Sequence, residues 1–168
     1  LNLGPFEQQF NENRPFFTEG TELFSKGLLL YSRRIGGDAS YELKDEEEYV
    51  ENPEKVSLLN ALKISGRTKR GLGIGVLNAV TERTTADIRN VNTNEVRSEV
   101  IEPLANYNVF VLDQRFRKNS SVSLVNTNVT RNGEFRDANV AALVFDLNTK
   151  KNTYNLSGDY KYSYINEY

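Results

Sequence analysis

From Val56 onward the chain alternates between apolar and polar residues. This period of two predicts β-strands, because successive side chains of a strand point to opposite faces of a sheet. Strands are predicted over residues 56–66, 71–86, 105–117, 121–131, 139–147 and 153–165. Short polar segments between most of them predict hairpin turns, whereas residues 87–102 are predicted to form one long connection.

The stretch 70–83, RGLGIGVLNAVTER, shows the alternation clearly. One of its faces carries Leu72, Ile74, Val76 and Val80, interrupted by Asn78, and the other begins with Gly71, Gly73 and Gly75. Glycine in a strand lets the sheet bend or allows another backbone to approach closely. We therefore predict a structural role for these glycines.

The final predicted strand has an apolar face rich in tyrosine. That face carries Tyr154, Leu156, Gly158, Tyr160, Tyr162 and Tyr164, opposite a polar face. Such a face is typical of lipid-facing strands near an aromatic interface belt. The middle strands are apolar on both faces, which also suits a soluble β-sandwich. Periodicity leaves barrel and sandwich both open, while several strands reach the length of about 9–11 residues that a membrane strand needs.

The N-terminal part lacks this pattern. Residues 1–27 are predicted to form an irregular, plug-like lead-in, because proline and glycine interrupt them and their phenylalanines follow no period. A short helix is predicted at residues 21–25, and a strand at residues 28–37. The acidic run at residues 44–55 is predicted to be a solvated loop.

Composition excludes several classes of function. The chain has 168 residues, of which 21 are basic and 23 acidic, for a net charge of -2. It therefore has no basic excess to attract nucleic acid. With no cysteine and no histidine, thiol nucleophiles, histidine bases and ordinary zinc sites are excluded. No apolar run is long enough for a transmembrane helix. We predict no cofactor, no metal and no catalytic constellation.

Motifs for nucleotide binding are absent from the sequence. The glycines between residues 66 and 75 fit neither the dinucleotide fingerprint nor the phosphate loop. The candidate ligand-binding residues are Glu19, Arg33, Arg34 and Arg115. The paired arginines suit an anion, or equally a solvated or carboxylate-paired surface. A hydrolase that uses Glu19 and Asp113 stays open as an alternative.

Two stretches near the N-terminus are more specific. The first matching set is Arg14, Pro15, Phe16, Phe17, Glu19, Gly20 and Phe24, and the second is Tyr31, Ser32, Arg33, Arg34, Ile35 and Gly36. With these residues the chain resembles an uncharacterised outer-membrane β-barrel family of diderm bacteria, whose members usually carry an N-terminal family-nine carbohydrate-binding-like domain. Residues 62–83 and 102–116 are also similar to the family. Asn13 and Leu30 depart from its pattern.

The resemblance implies an all-β fold, an antiparallel meander forming part of a transmembrane β-barrel. Residues 28–168 would be the first barrel strands, with apolar side chains toward lipid and glycines facing inward, where the lead-in or neighbouring strands pass. The carbohydrate-binding-like domain is expected upstream. The implied role is transport or surface assembly at the cell outer membrane, with a link to glycan handling. The implied partners are outer-membrane lipid, and other outer-membrane proteins or the rest of the chain. The alternative is a soluble β-sandwich module that binds carbohydrate or protein.

Overall fold

The computed structural model describes residues 11–39, 41–116 and 119–166. Its helical elements are α1 (Pro15–Thr18), α2 (Thr21–Phe24) and two 3-10 turns, Lys26–Leu28 and Ser32–Arg34. Its strands are β1 (Glu47–Glu51), β2 (Leu58–Arg67), β3 (Leu72–Thr81), β4 (Thr84–Asn90), β5 (Val96–Glu102), β6 (Ala105–Phe116), β7 (Ser120–Arg131), β8 (Asp137–Asn148) and β9 (Asn155–Asn166). Residues 1–10 of the predicted lead-in lie outside the described residues.

A six-stranded antiparallel sheet forms the main body, in the order β2-β3-β6-β7-β8-β9. Each of its strands has 10 or 12 residues. The prediction of an all-β antiparallel meander is confirmed. No helix among the described residues is long and apolar enough to cross a membrane.

A second sheet contains three strands, in the order β1-β4-β5. The predicted strand 71–86 divides into β3 and β4 around residues 82–83, and the predicted connection 87–102 is mostly the β4–β5 hairpin. Its turn is stabilised by Asn90, whose side-chain oxygen accepts from the backbone N–H groups of Asn92 and Thr93. The acidic run contains β1, whose Glu47 pairs with Arg97 of β5 at 2.7 Å. The run forms a strand because its backbone pairs antiparallel with β4, with Tyr49 opposite Ile88.

The predicted strand at residues 28–37 is wrong. Gly27 and Leu28 have positive φ angles of 67° and 53°, and Ser32–Arg34 form a 3-10 turn. Arg14 accounts for part of the difference, because its guanidinium binds the carbonyl oxygens of Ser32 and Ile35. Those oxygens would be needed in a strand ladder. The predicted short helix is confirmed as α2.

The two faces of the six-stranded sheet differ sharply. We call the face that bears Gly73, Gly75, Leu77 and Ala79 of β3 the covered face, because the lead-in packs against it. The core there contains Phe17, Leu23 and Phe24 of the lead-in, Leu29 and Ile35 of the segment that follows it, and Leu77, Ala79, Tyr107, Val109, Val111, Val125, Val129 and Ala142 of the sheet. The opposite face, which we call the open face, carries exposed apolar side chains such as Ile64, Ile74 and Leu124.

Two glycines of β3 allow the lead-in to pack closely against the covered face. A Cβ at Gly73 would lie 2.8 Å from Leu23 Cδ2, and one at Gly75 would lie 3.2 Å from Phe24 Cζ. Both distances are shorter than ordinary van der Waals contact between carbon atoms. The prediction that the lead-in passes close to these glycines is confirmed.

Candidate functional site on the covered face

A row of polar side chains crosses the covered face near the β2–β3 turn. Arg67 of β2 lies opposite Gly73, and Gly73 lies opposite Asp113 of β6. Arg67 Nη2 donates to Asp113 Oδ2 over 2.5 Å. A Cβ at Gly73 would come within 3.0 Å of Arg67 Cζ. The missing side chain at Gly73 is therefore what lets the guanidinium reach across β3.

The carboxylate of Asp113 is fully buried and has several partners. Ser123 Oγ of β7 donates to Oδ1 over 2.6 Å, and Lys26 Nζ of the lead-in lies 3.5 Å from the same oxygen. Arg115 Nε lies 3.8 Å from Oδ2. Burying a carboxylate without such partners costs several kcal/mol. Asp113 is thus a fixed negative charge that holds cations from both the sheet and the lead-in.

Glu22 of α2 adds a second carboxylate. Its Oε1 accepts from Arg67 Nη2 over 2.7 Å and also from Arg115. We call this group the ionic cluster; it consists of Glu22, Lys26, Arg67, Asp113, Arg115 and Ser123. Three cations face two carboxylates, which leaves one net positive charge. Because Glu22 and Lys26 belong to the lead-in and the others to the sheet, the cluster ties the two together.

Lys63 of β2 secures α1 from the covered face. Its Nζ donates to the backbone oxygen of Glu19 over 2.5 Å and to that of Phe16. It also lies 5.0 Å from the centroid of the Phe16 ring, within the range of a cation–π interaction. A cation at these carbonyls satisfies backbone acceptors that a helix leaves free at its C-terminal end.

A second charged group joins Glu12 and Arg14 of the lead-in to the 3-10 turn Ser32–Arg34. Arg14 Nη2 and Glu12 Oε2 are 2.8 Å apart, and Ser32 Oγ donates to the same oxygen over 2.7 Å. Arg14 also lies 4.3 Å from the centroid of the Phe17 ring. The hydrogen bond from Arg14, aided by that from Ser32, lowers the pKa of Glu12 to about 2 although partial burial opposes it. The two N-terminal motifs singled out in the sequence therefore contact each other.

The open face has a regular arrangement of rows. In one row Ile74, Leu112, Leu124, Leu143 and Tyr160 lie opposite one another on successive strands. Two rows away lie four asparagines, which we call the amide row: Asn78, Asn108, Asn128 and Asn139. Asn78 Nδ2 donates to Asn108 Oδ1 over 2.9 Å. The face thus passes from apolar rows to a polar row along the strand direction.

Only one predicted ligand-binding residue, Arg115, belongs to the ionic cluster. The side chain of Glu19 lies outside that cluster, and its backbone oxygen binds Lys63. Arg33 donates to the backbone oxygen of Asn11 over 2.8 Å, and Arg34 ends the same 3-10 turn. Arg33 lines a hollow of about 210 Å³ together with Arg14 and Glu12. The structure therefore does not gather the four residues at one place.

Sequence analysis did not select the residues that form most of the cluster. Lys26, Arg67 and Glu22 lie far from Asp113 in the sequence, and none of them belongs to a recognisable motif. The one available signal was the run of alternate glycines, because Gly73 marks where Arg67 crosses β3. Asp113, considered above for a hydrolase, is fully buried and bound by cations, so its carboxylate is not presented to a substrate.

Outside these charged groups, the described residues show few features of a metal or catalytic site. No group of three or more of their carboxylates is arranged to hold a metal ion. A hollow of about 380 Å³ is lined by Ile101, Glu102, Pro103, Arg131, Phe135 and Arg136. Burial raises the pKa of Glu102 there, and Arg131 opposes this.

Comparison with known proteins places the chain in a family. The sequence profile described as Domain of unknown function (DUF5916) matches residues 1–168. The chain belongs to this family. Searches of curated proteins and of solved structures found no match. The predicted membership of an uncharacterised family is confirmed, and the profile spans the lead-in as well as both sheets.

Proposed function

We propose that this chain forms part of an outer-membrane β-barrel with a transport or surface-assembly role in a diderm bacterium. The open face meets lipid, and the covered face points into the lumen, where the lead-in lies. One observation carries the proposal: the sheet has an exposed apolar face directly opposite a face that its own lead-in packs.

The open face has the character of a lipid-contacting surface. Ile64 is 61% exposed, Leu124 54% and Tyr160 68%, and each lies on a different strand. Contiguous apolar patches of more than a few hundred Å² mark interaction surfaces on proteins. No element among the described residues packs on this face. For a protein in water, burial of this face would contribute about 25 cal/mol of stabilisation for each Å² of apolar surface, and leaving it exposed loses that contribution.

Strand length and strand edges further support a barrel. Twelve residues, the length of β7, span about 41 Å along a strand, and a tilt of about 40° reduces this to about 31 Å. That height suffices for a hydrocarbon core of about 30 Å. In the described residues β2 and β9 each pair with one neighbour only. Because unpaired backbone groups cost several kcal/mol each in lipid, the proposal includes further strands beside both.

The lead-in favours a closed lumen over an open diffusion pore. Its apolar side chains pack against several strands on the covered face, and it is held there by the ionic cluster and by Lys63. A transport role would require this segment to move, whereas a surface-assembly role would not. The link to glycan handling comes from the family resemblance alone.

Fractionation of the full-length protein tests the proposal. Cells that produce it are broken without detergent, and the membranes are washed with alkaline carbonate and extracted with detergent. We expect the protein to stay with the washed membranes and to migrate on a gel as a compact form that converts to a slower form on boiling. A known barrel and a periplasmic protein from the same cells serve as controls.

Recovery of the full-length protein in the aqueous fraction, without a heat-modifiable form, would contradict the proposal. It would point instead to the soluble β-sandwich module that binds carbohydrate or protein. In such a module another layer of protein would cover the open face.

A further inference from the structure

We propose that the amide row lies at one boundary between water and hydrocarbon. The apolar rows of the open face lie inside the hydrocarbon, and the three-stranded sheet stands outside it. This inference rests on the proposed function and fixes the depth at which the sheet contacts lipid.

The amide row is suited to an interface and not to the bilayer interior. Each side-chain amide has two donor hydrogens and an acceptor oxygen. Besides the bond between Asn78 and Asn108, Asn78 Nδ2 donates to Asn106 Oδ1, and Asn126 Nδ2 donates to Asn139 Oδ1 over 2.8 Å. These bonds leave further donors and acceptors free to meet water or lipid headgroups. Placing such groups in hydrocarbon costs several kcal/mol each.

The distance from the amide row to the other end of the sheet matches the apolar thickness of a membrane. From Asn128 to Ser120, β7 advances by eight residues. This corresponds to about 27 Å along the strand and about 21 Å after a tilt of about 40°. The outward apolar band of known barrels is about 25 Å tall. Over this length the outward residues of β7 are Val122, Leu124 and Asn126, and the positions beside Leu124 are Leu112 and Leu143. Asn126 lies one row from the amide row, and its amide is bound to Asn139 and to the carbonyl oxygen of Val140.

Beyond the amide row the surface is charged. The chain leaves β3 there for β4 and β5, whose sheet carries ion pairs between Glu48 and Arg89 and between Glu47 and Arg97. Arg97 and Glu99 also lie within 3.3 Å of each other. Exposed pairs of this kind are stable in water but cannot be placed in lipid without a large desolvation cost. The three-stranded sheet therefore continues the polar side of the boundary.

Single cysteines can locate the boundary. Asn128→Cys and Leu124→Cys lie on the same face of the same strand, and Asn139→Cys and Leu143→Cys repeat the pair on β8. Asn92→Cys reports on the β4–β5 turn. Each variant of the full-length protein, freed of any other cysteine, is placed in phosphatidylcholine nanodiscs, where both membrane sides are accessible. The rate of reaction with a charged, water-soluble maleimide is divided by the rate for the same variant in urea.

We expect cysteines at positions 92, 128 and 139 to react at comparable rates. Those at positions 124 and 143 should react on the order of 100-fold more slowly, because a thiolate does not form in hydrocarbon. If the amide-row cysteines are as slow as those at 124 and 143, or if position 92 is slow, the boundary is misplaced while the barrel proposal stands. If positions 124 and 143 react as fast as position 92, both proposals are overturned.

Discussion

Adding one methyl group at Gly73 tests how closely the lead-in is fitted to the sheet. In Gly73→Ala the new Cβ would lie 2.8 Å from Leu23 Cδ2 and 3.0 Å from Arg67 Cζ and Nη2. Leu23 can rotate, but Arg67 is held by Asp113 at 2.5 Å and by Glu22 at 2.7 Å. The substitution must therefore lengthen at least one of these ion pairs or displace the lead-in.

Two opposing contributions determine how far Gly73→Ala changes the free energy of unfolding. Overpacking of a well-packed core costs typically about 1–3 kcal/mol. Replacing glycine by alanine where φ is ordinary returns about 0.4–1 kcal/mol by restricting the unfolded chain, and Gly73 is not among the glycines with positive φ. We expect a net loss of about 1–2 kcal/mol in the free energy of unfolding.

Gly66→Ala provides the matched control. Gly66 lies on β2, has no positive φ, and a Cβ there would meet no atom within 4 Å. In this variant only the restriction of the unfolded chain operates, so its free energy of unfolding should rise by about a few tenths of a kcal/mol or more. Both variants are unfolded with urea in lipid, and the unfolded fraction is measured from gel mobility without boiling. Equal stability of the two variants would refute the claim that the lead-in and Arg67 are closely packed over Gly73.

Three further experiments test the electrostatics and the open face. Asp113→Asn should lower the free energy of unfolding in urea by about 1.5–3 kcal/mol, because it removes the buried negative charge that accepts hydrogen bonds from Ser123 and Arg67; the exposed Asp159→Asn should change it by less than about 0.5 kcal/mol, and equal losses would contradict the role of burial. The depressed Glu12 pKa of about 2 means that its stabilisation is complete above about pH 4.5 and is lost as the pH falls toward 2. In the unchanged protein the free energy of unfolding should therefore fall by at most about 3 kcal/mol over this pH range, and in Glu12→Gln this fall should be absent. Unfolding midpoints measured over a pH series check this, and the same pH dependence in both proteins would contradict it. Leu124→Lys should cost about 2–4 kcal/mol in lipid and Thr130→Lys about 0–1, and no difference between them would argue against lipid contact.

Much of the sheet follows from short-range pattern in the sequence. Alternation placed Ile74 and Val76 on one face and Gly73 and Gly75 on the other, and the register agrees. The β4–β5 hairpin was not predicted because β5 is polar with little alternation, and because the start of β4 continues the alternation of β3. It forms through the turn at Asn90 and through pairing of β4 with β1, which precedes it in the chain by more than thirty residues.

The N-terminal segment before β1 and the ionic cluster could not be predicted in the same way. The run LLLYSRR has the composition of a strand, yet the long-range bonds of Arg14 to Ser32 and Ile35 hold it in turns. The partners of Asp113 include Lys26, Arg67 and Ser123, and only tertiary packing brings them together. The interruption of the apolar face by Asn78 was visible in the sequence, but its continuation as a row required the register of four strands.

The central claim is that the open face contacts hydrocarbon, and fluorescence quenching at Leu124 tests it most directly. A fluorophore on Leu124→Cys in the membrane-reconstituted full-length protein is exposed in turn to lipids with a nitroxide on the acyl chain and to aqueous iodide. We predict strong quenching by the acyl-chain nitroxide and almost none by iodide. Strong quenching by iodide without quenching by the lipid nitroxide would contradict the account.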